Sequence, residues 1–502
     1  MTGTITKRFR LFAAEQFKEL FDEAAFENLY VFIGRPKPWT DDNNPPTPVD
    51  SVNASEYQIW DNIISAKKVA AGDVTFAGPR YNWTSGQVYT EYNTDTQFQD
   101  SQFFVLTDEY NLYKCMYNNK GAASTVKPSG RLTSVFSTGD GYKWKFMGEV
   151  SAPDAVKYVT TTFVPLKKLT ADDGSFQWDV QSAAVDGSIS TVRVAAVGSN
   201  YKTNSGTVTT SNTTKVTLAS SANSTGGIYV GSSIYITSGT GAGQKRVITN
   251  YSGASKIATV SPAFSIAPNG GSAYLVSPTI SVTSGDGTGF SAYSTVSNGT
   301  ISTVEVINEG SGYRRATLAV TANTGSGASV VAQLSPNGGH GSNAVYELNG
   351  YNVMMFVQFS GDEAGKFFSN NDFRVIGVLA NPLLANNSIA TDTSYLVAPK
   401  LTLTSQSGSF LPDETITGGT SGATGVFVEK ANTTSIIVTS VVGSFTTSET
   451  ITGGTSAATA TVSSIVASPL KKYSGSLLYV ENRSPIVRSV NQEENFRLVI
   501  NL

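Results

Sequence analysis

Gly408-Ser-Phe-Leu-Pro-Asp-Glu-Thr-Ile-Thr-Gly-Gly-Thr-Ser-Gly-Ala-Thr424 recurs as Gly443-Ser-Phe-Thr-Thr-Ser-Glu-Thr-Ile-Thr-Gly-Gly-Thr-Ser-Ala-Ala-Thr459, at a constant offset of 35 residues. Each copy sets Glu-Thr-Ile-Thr before a Gly-Gly pair, with Gly425-Val-Phe-Val428 or Ala460-Thr-Val462 following. This pattern predicts a hairpin, because Gly-Gly tolerates the positive φ that tight hairpin turns demand. A stacked solenoid needs at least about three repeats, so two copies point to a compact barrel or sandwich. Between residues 396 and 470 the only charges are Lys400, Asp413, Glu414, Glu429, Lys430 and Glu449. Hydroxyl groups must therefore solubilise this module.

A second duplication lies upstream. Gly187-Ser-Ile-Ser-Thr-Val-Arg-Val-Ala-Ala-Val-Gly-Ser-Asn-Tyr201 returns as Gly299-Thr-Ile-Ser-Thr-Val-Glu-Val-Ile-Asn-Glu-Gly-Ser-Gly-Tyr313, offset by 112. Each copy is an alternating strand, a Gly-Ser turn and a tyrosine expected to close the end of a small β-module. From about residue 171 the composition shifts to Ser, Thr, Gly and Val.

Outside the repeats the texture changes. Val345–Phe359 and Asp372–Pro382 are strand-like and richer in large apolar groups, as are residues 98–117 and 132–166. Tyr142, Trp144 and Phe146 alternate onto one face after a Gly-Asp-Gly turn. Residues 5–30 carry a helical stripe of Phe9, Phe12, Ala13, Phe17, Leu20, Phe21 and Ala24, expected to be buried, with Arg10, Glu15, Lys18, Glu19 and Glu23 opposite. Leu29–Gly34 reads as a strand. Arg35–Pro48 holds five prolines in fourteen residues, which dictates an extended surface arm carrying Trp39. Asp50-Ser51 is expected to cap a helix running through Ile64, with Tyr57 and Trp60 on one face.

The expected fold is mainly β, with an α+β core of antiparallel sheets and few helices. The core is discontinuous, built from residues 1–170, 340–395 and 471–502. A β-rich region at 171–339 and a β module at 396–470 are inserted as small barrels or sandwiches. Insertions of this kind cost little when their ends lie close together.

The 502 residues are 40% hydrophobic and only 15% charged, a balance suited to β-structure with polar uncharged faces. A net charge of −3 supplies no basic surface for nucleic acid. No run of about 18 apolar residues occurs, so no membrane span is expected, and the first ten residues lack the apolar core of a signal peptide. Single Cys115 and single His340 exclude a classical His/Cys metal cluster. Cys115 alternates within Leu112–Tyr117 as a core residue. Gly239-Thr-Gly-Ala-Gly-Gln-Lys245 lacks the Gly-Lys-Ser/Thr ending of a phosphate loop and reads as a β-turn. No nucleophile elbow accompanies His340. No catalytic, cofactor or metal residue is therefore expected, and an enzyme is not.

Five segments, in order, resemble the wedge protein of T4-like phage baseplates, the gene-eight product family. Phe32-Ile-Gly-Arg-Pro-Lys-Pro-Trp39 is similar to its Gly-Arg-x-x-Pro-Trp segment. Pro45-Pro-Thr-Pro-Val-Asp-Ser-Val52 with downstream Trp60, Gly139-Asp-Gly-Tyr-Lys-Trp144, Phe373-Arg-Val-Ile with Asn381-Pro382, and Tyr479-Val-Glu-Asn-Arg-Ser-Pro-Ile486 are similar to others. The two repeat regions have no counterpart in the T4 form, so the resemblance is to an enlarged, cyanophage-type member. It implies a structural virion component, assembled in the bacterial cytoplasm, that links inner baseplate to periphery. It further implies a homodimer contacting the products of genes six, seven and ten, with no cofactor. Interfaces of this kind are anchored by aromatics and arginine, and the candidates are Arg35, Trp39, Trp60, Trp83, Tyr142 and Arg483. The alternative is a receptor-binding tail protein whose β modules hold glycan.

Overall fold

The computed structural model describes residues 5–22, 28–51, 54–94, 101–367, 371–489 and 491–501. The chain is mainly β, with antiparallel sheets, a closed six-stranded barrel and few helices. It divides into two compact units, one of residues 1–77, 156–159 and 351–502, the other of 78–155 and 160–350.

In the first unit, five strands run in the order Ser394–Leu396, Ile63–Lys68, Leu29–Gly34, Asp372–Ala380, Ser476–Val487. Leu29–Gly34 is buried throughout because both faces are covered. Its Leu29, Val31 and Ile33 enter one core with Met355, Phe359 and Phe496. Its Tyr30 and Phe32 enter another with Trp60 and Tyr395. A second sheet pairs Glu493–Asn501 with Asn352–Ser360, which also pairs with Val74–Ala77. Both termini of the chain thus contribute to this unit.

The first helix, Lys7–Asp22, starts with the Thr6 hydroxyl accepting from Phe9 N at 3.2 Å. Leu11 and Ala14 are buried and Phe17 and Phe21 pack on the core. The expected stripe is only half right, since Phe9 and Phe12 are exposed, at 61% and 57%. The apolar residues span a wider arc than the sheet can cover. Glu23 and Ala24 lie outside the described residues. The second helix, Ala54–Asn62, stops two residues earlier than expected, and Ile63–Lys68 continues directly as a strand. β-branched Ile63 and Ile64 favour the strand. Val52 and Asn53, where the expected cap would act, lie outside the described residues.

Residues 400–466 form the barrel. Corresponding strands of the two copies meet across a pseudo-two-fold: Leu401 faces Ile436, and the Ile416–Gly453 pair is mirrored by Gly418–Ile451. Glu414 of the first copy accepts from Thr455 N, Ser456 N and Ser456 Oγ of the second, at 2.7–3.0 Å. Glu449 returns the same bonds to Thr420 and Ser421, at 2.8–3.3 Å. The hairpins are present, but the Gly-Gly pair serves a different purpose from the one expected. Positive φ falls on Gly422 (68°) and Ala457 (55°). Gly418 and Gly453 are needed for space, since a Cβ there would lie 2.5 Å from Glu449 Oε2 and 2.6 Å from Glu414 Oε1.

The second unit differs from the expected division, because residues 78–155 belong with 160–350 rather than with the core. Aromatic alternation predicted strands without revealing which sheet they join. The strands Phe104–Leu106, Asn111–Tyr117, Lys143–Glu149 and Phe136–Ser137 form one sheet. Lys143 ties it to Glu305 in the larger β region at 2.7 Å. A helix, Ala152–Tyr158, interrupts the expected strand run, and residues 345–347 belong to a helical turn, Ala344–Glu347, instead of a strand. The 112-residue duplication is reciprocal as well: Tyr201 N donates to Gly299 O and Tyr313 N to Gly187 O, both at 3.0 Å. Both tyrosines close the same core. Gly239–Lys245 is the turn joining two antiparallel strands, as expected.

Candidate docking surface

The proline-rich arm is fixed by an arginine that lies in a largely apolar strand. Arg374, 3% exposed, sits at a bulge in the pairing of Asp372–Ala380 with Ser476–Val487. It grips Asp42 with two bonds, Nε to Oδ1 at 2.9 Å and Nη2 to Oδ2 at 2.8 Å. Its Nη1 also donates to Asp372 Oδ1 at 2.8 Å and to the Pro36 carbonyl. This bidentate bonding holds the Asp42 carboxyl below its usual range. Asp42 in turn accepts from Trp39 N at 2.7 Å.

Trp39 is thereby presented at the surface. Its ring packs on the core that contains Trp60, and the Arg35 guanidinium lies 3.7 Å above the ring centroid. Arg35 has φ of 56° and donates to Pro38 O at 3.2 Å. Trp39 Nε1 donates to Arg483 O at 2.9 Å, and Asn482 Nδ2 donates to Pro46 O at 2.7 Å. The arm therefore lies against Ser476–Val487, an edge strand of its sheet. Arg483, paired with Glu481 at 2.9 Å, is about half exposed.

Three of the six sequence candidates, Arg35, Trp39 and Arg483, thus form one cluster. Trp60 and Tyr142 are corrections: at 4% and 0% exposure both are core residues and cannot anchor a partner. Tyr142 stacks on Trp144 and donates to Ala122 O at 2.6 Å, which satisfies its hydroxyl in the interior. Trp83 is partly buried and belongs to the second unit. Sequence reasoning missed Arg374 and Asp42. The available signal was a lone charge among Phe373, Val375 and Ile376, since such a residue is rarely buried without a partner.

His340 is likewise enclosed. Lys114 Nζ lies 2.8 Å from His340 Nδ1 and 2.7 Å from Glu347 Oε2, with Tyr92 beneath the ammonium at 4.2 Å. The three charged or titratable side chains are 1–3% exposed. Burial and the neighbouring Lys114 push the imidazole down to about 3. Burial raises Glu347, but Lys114 and His340 outweigh it and bring it to about 2. A neutral imidazole accepting from an ammonium that a carboxylate balances is a sealed internal clamp, closed to substrate. Cys115 is buried and its thiol is pushed well up by that burial. Among the described residues no group of three His, Cys, Asp or Glu side chains could hold a metal ion, and no helix is long and apolar enough to cross a membrane.

No protein-family model matches the chain, and no curated protein matches its sequence.

Proposed function

We propose that the chain is a structural subunit of a contractile-tail phage baseplate wedge, acting through protein–protein contacts and turning over no substrate. The observation that carries this reading is the arm. Two segments that resemble the wedge family, Arg35–Trp39 and Glu481–Arg483, are far apart in sequence yet joined by the Trp39–Arg483 bond. A docking part works best with anchors already held in place, because ordering side chains on association costs affinity. Stacked Arg35 and Trp39, locked through Asp42 to Arg374, meet that need.

The reading also calls for a second copy. Phe9 and Phe12 of the first helix and Ile5 just before it are exposed, at 61%, 57% and 63%. Lys7, Arg8 and Arg10 occupy its first half, and Glu15, Lys18, Glu19 and Asp22 its second, which is net acidic. Two such helices packed antiparallel set basic against acidic ends and cover the phenylalanines, the self-complementary arrangement of a two-fold dimer.

Light scattering on the purified protein tests this, with twice the 53.0 kDa chain mass expected. Phe9→Glu combined with Phe12→Glu is expected to give a folded monomer. A trimer would favour the receptor-binding alternative and sink the wedge reading. So would a gold-labelled chain located at fibre tips instead of the hexagonal plate.

A further inference from the structure

A cleft of about 630 Å³ opens in the second unit beside Trp83, within the usual range of about 300–1,000 Å³ for small-molecule sites. It is lined by residues of two short segments, 80–84 and 106–110, and by Lys127, none of them used by the docking surface. Its floor is tied by backbone. Trp83 N donates to Leu106 O at 2.9 Å and Leu106 N to Tyr81 O at 2.7 Å. Trp83 is fixed at both ends, its ring packed beside the core of Tyr89 and Trp144 and its Nε1 donating to Ser124 Oγ at 3.1 Å.

A turn that also lines the cleft holds Tyr110 in the left-handed region, at φ of 60°, with 41% exposure. Glycine would adopt that backbone more cheaply. The chain instead places an aromatic ring at the cleft. Around the two rings lie groups of both hydrogen-bonding senses. Arg80 is oriented by Asn82 Oδ1 at 2.9 Å and Thr160 O at 2.6 Å. Asp108 is 77% exposed and paired with Lys127 at 2.6 Å.

We propose that this cleft binds a neutral oligosaccharide. Sugar rings present apolar C–H faces to aromatics and hydroxyls to amide, carboxylate and guanidinium groups, which is the set lining this cleft. The charges argue against a nucleotide or other polyanion, because Arg80 and Lys127 are offset by Asp108 and neighbouring Glu109, which Lys127 also holds. The lining argues against a peptide, because Leu106 is its only aliphatic member and is itself buried. The site stands whether or not the wedge reading does.

Calorimetry on the full chain tests the proposal with maltohexaose, cellohexaose and chitohexaose, and with ATP and a galacturonic acid hexamer as anionic controls. At least one neutral hexamer is expected to saturate with a Kd of about 1 mM or tighter. Tyr110→Gly removes the ring where the backbone favours glycine, so the thermal midpoint should hold while affinity drops about tenfold or more. Asn82→Ala, at an exposed position, is expected to weaken binding in the same direction without loss of fold. The proposal is overturned if no neutral hexamer saturates by about 10 mM. It is equally overturned by an unchanged affinity in both variants, or by an anionic control binding more tightly than every neutral one.

Discussion

The two barrel copies meet the same left-handed turn with different residues. Gly422 and Ala457 occupy equivalent positions with φ of 68° and 55°. The alanine carries a penalty there that glycine does not, on the order of 1 kcal/mol. Ala457→Gly should therefore raise stability by about 0.5–1 kcal/mol in denaturant titration, whereas Gly422→Ala should lower it. His340 makes a second residue-level prediction. Its ordinary value is 6.5 and its folded value about 3, so between those limits the unfolded chain takes up a proton that the folded chain refuses. The imidazole's contribution is complete above pH 6.5 and is lost as pH falls toward 3. Glu347 adds loss in the same direction only below its ordinary 4.5. The window from pH 6.5 to 4.5 therefore isolates the histidine from its carboxylate neighbour. Burial raises Glu429 to about 7, so over the same window the folded chain takes up a proton there and gains stability, opposing the histidine. The histidine's share is read as a difference: on acidification from pH 6.5 to 4.5, His340→Gln should lose less thermal stability than the unaltered chain. Lys114 and Lys145 also face the imidazole, and as cations they add to the cost of charging it.

At the scale of elements, the reciprocal glutamates carry the barrel. Glu414→Gln and Glu449→Gln each weaken a carboxylate that accepts several donors from the opposite copy, and each should cost about 2 kcal/mol. The two losses should be nearly equal, since the bonds match position for position; chemical denaturation of the single variants checks this. The same elements show what sequence can reveal. The 35-residue offset predicted a compact two-unit barrel or sandwich because the repeat fixes strand and turn locally. It did not reveal that Glu414 reaches the other copy, because the contact with Ser456 spans 42 residues. Trp39 and Arg483 stand as interface candidates from their residue type, but the bond that joins them spans 444 residues. Trp60 and Tyr142 misled for a related reason: aromatic residues fill cores and interfaces alike. The first helix was found by its period, yet its period cannot tell which arc the sheet will cover. Arg374 stands in the sequence as a charge among apolar neighbours, and its role is visible only in the fold, where the arm's Asp42 lies beside it.

At the scale of the whole molecule, the barrel's connections lie together. Lys400 pairs with Val466, so the strands that enter and leave the barrel are neighbours. Replacing residues 400–466 by a short Gly-Ser linker should leave the first unit folded, with a cooperative thermal transition. The Ser440–Asn62 hydrogen bond of 2.7 Å is lost in that variant, so a lowering of a few degrees is expected. Aggregation or a broad transition would show instead that the barrel is required for the surrounding sheets to form.

Because the glutamate of each barrel copy accepts from the other's turn, the instructions for closure are distributed between two segments. Fragments 396–433 and 434–470, made separately, carry complementary unmet needs and are suited to fragment complementation. A gene encoding one copy twice, fused head to tail, has all it needs to seal the same ring with perfect symmetry.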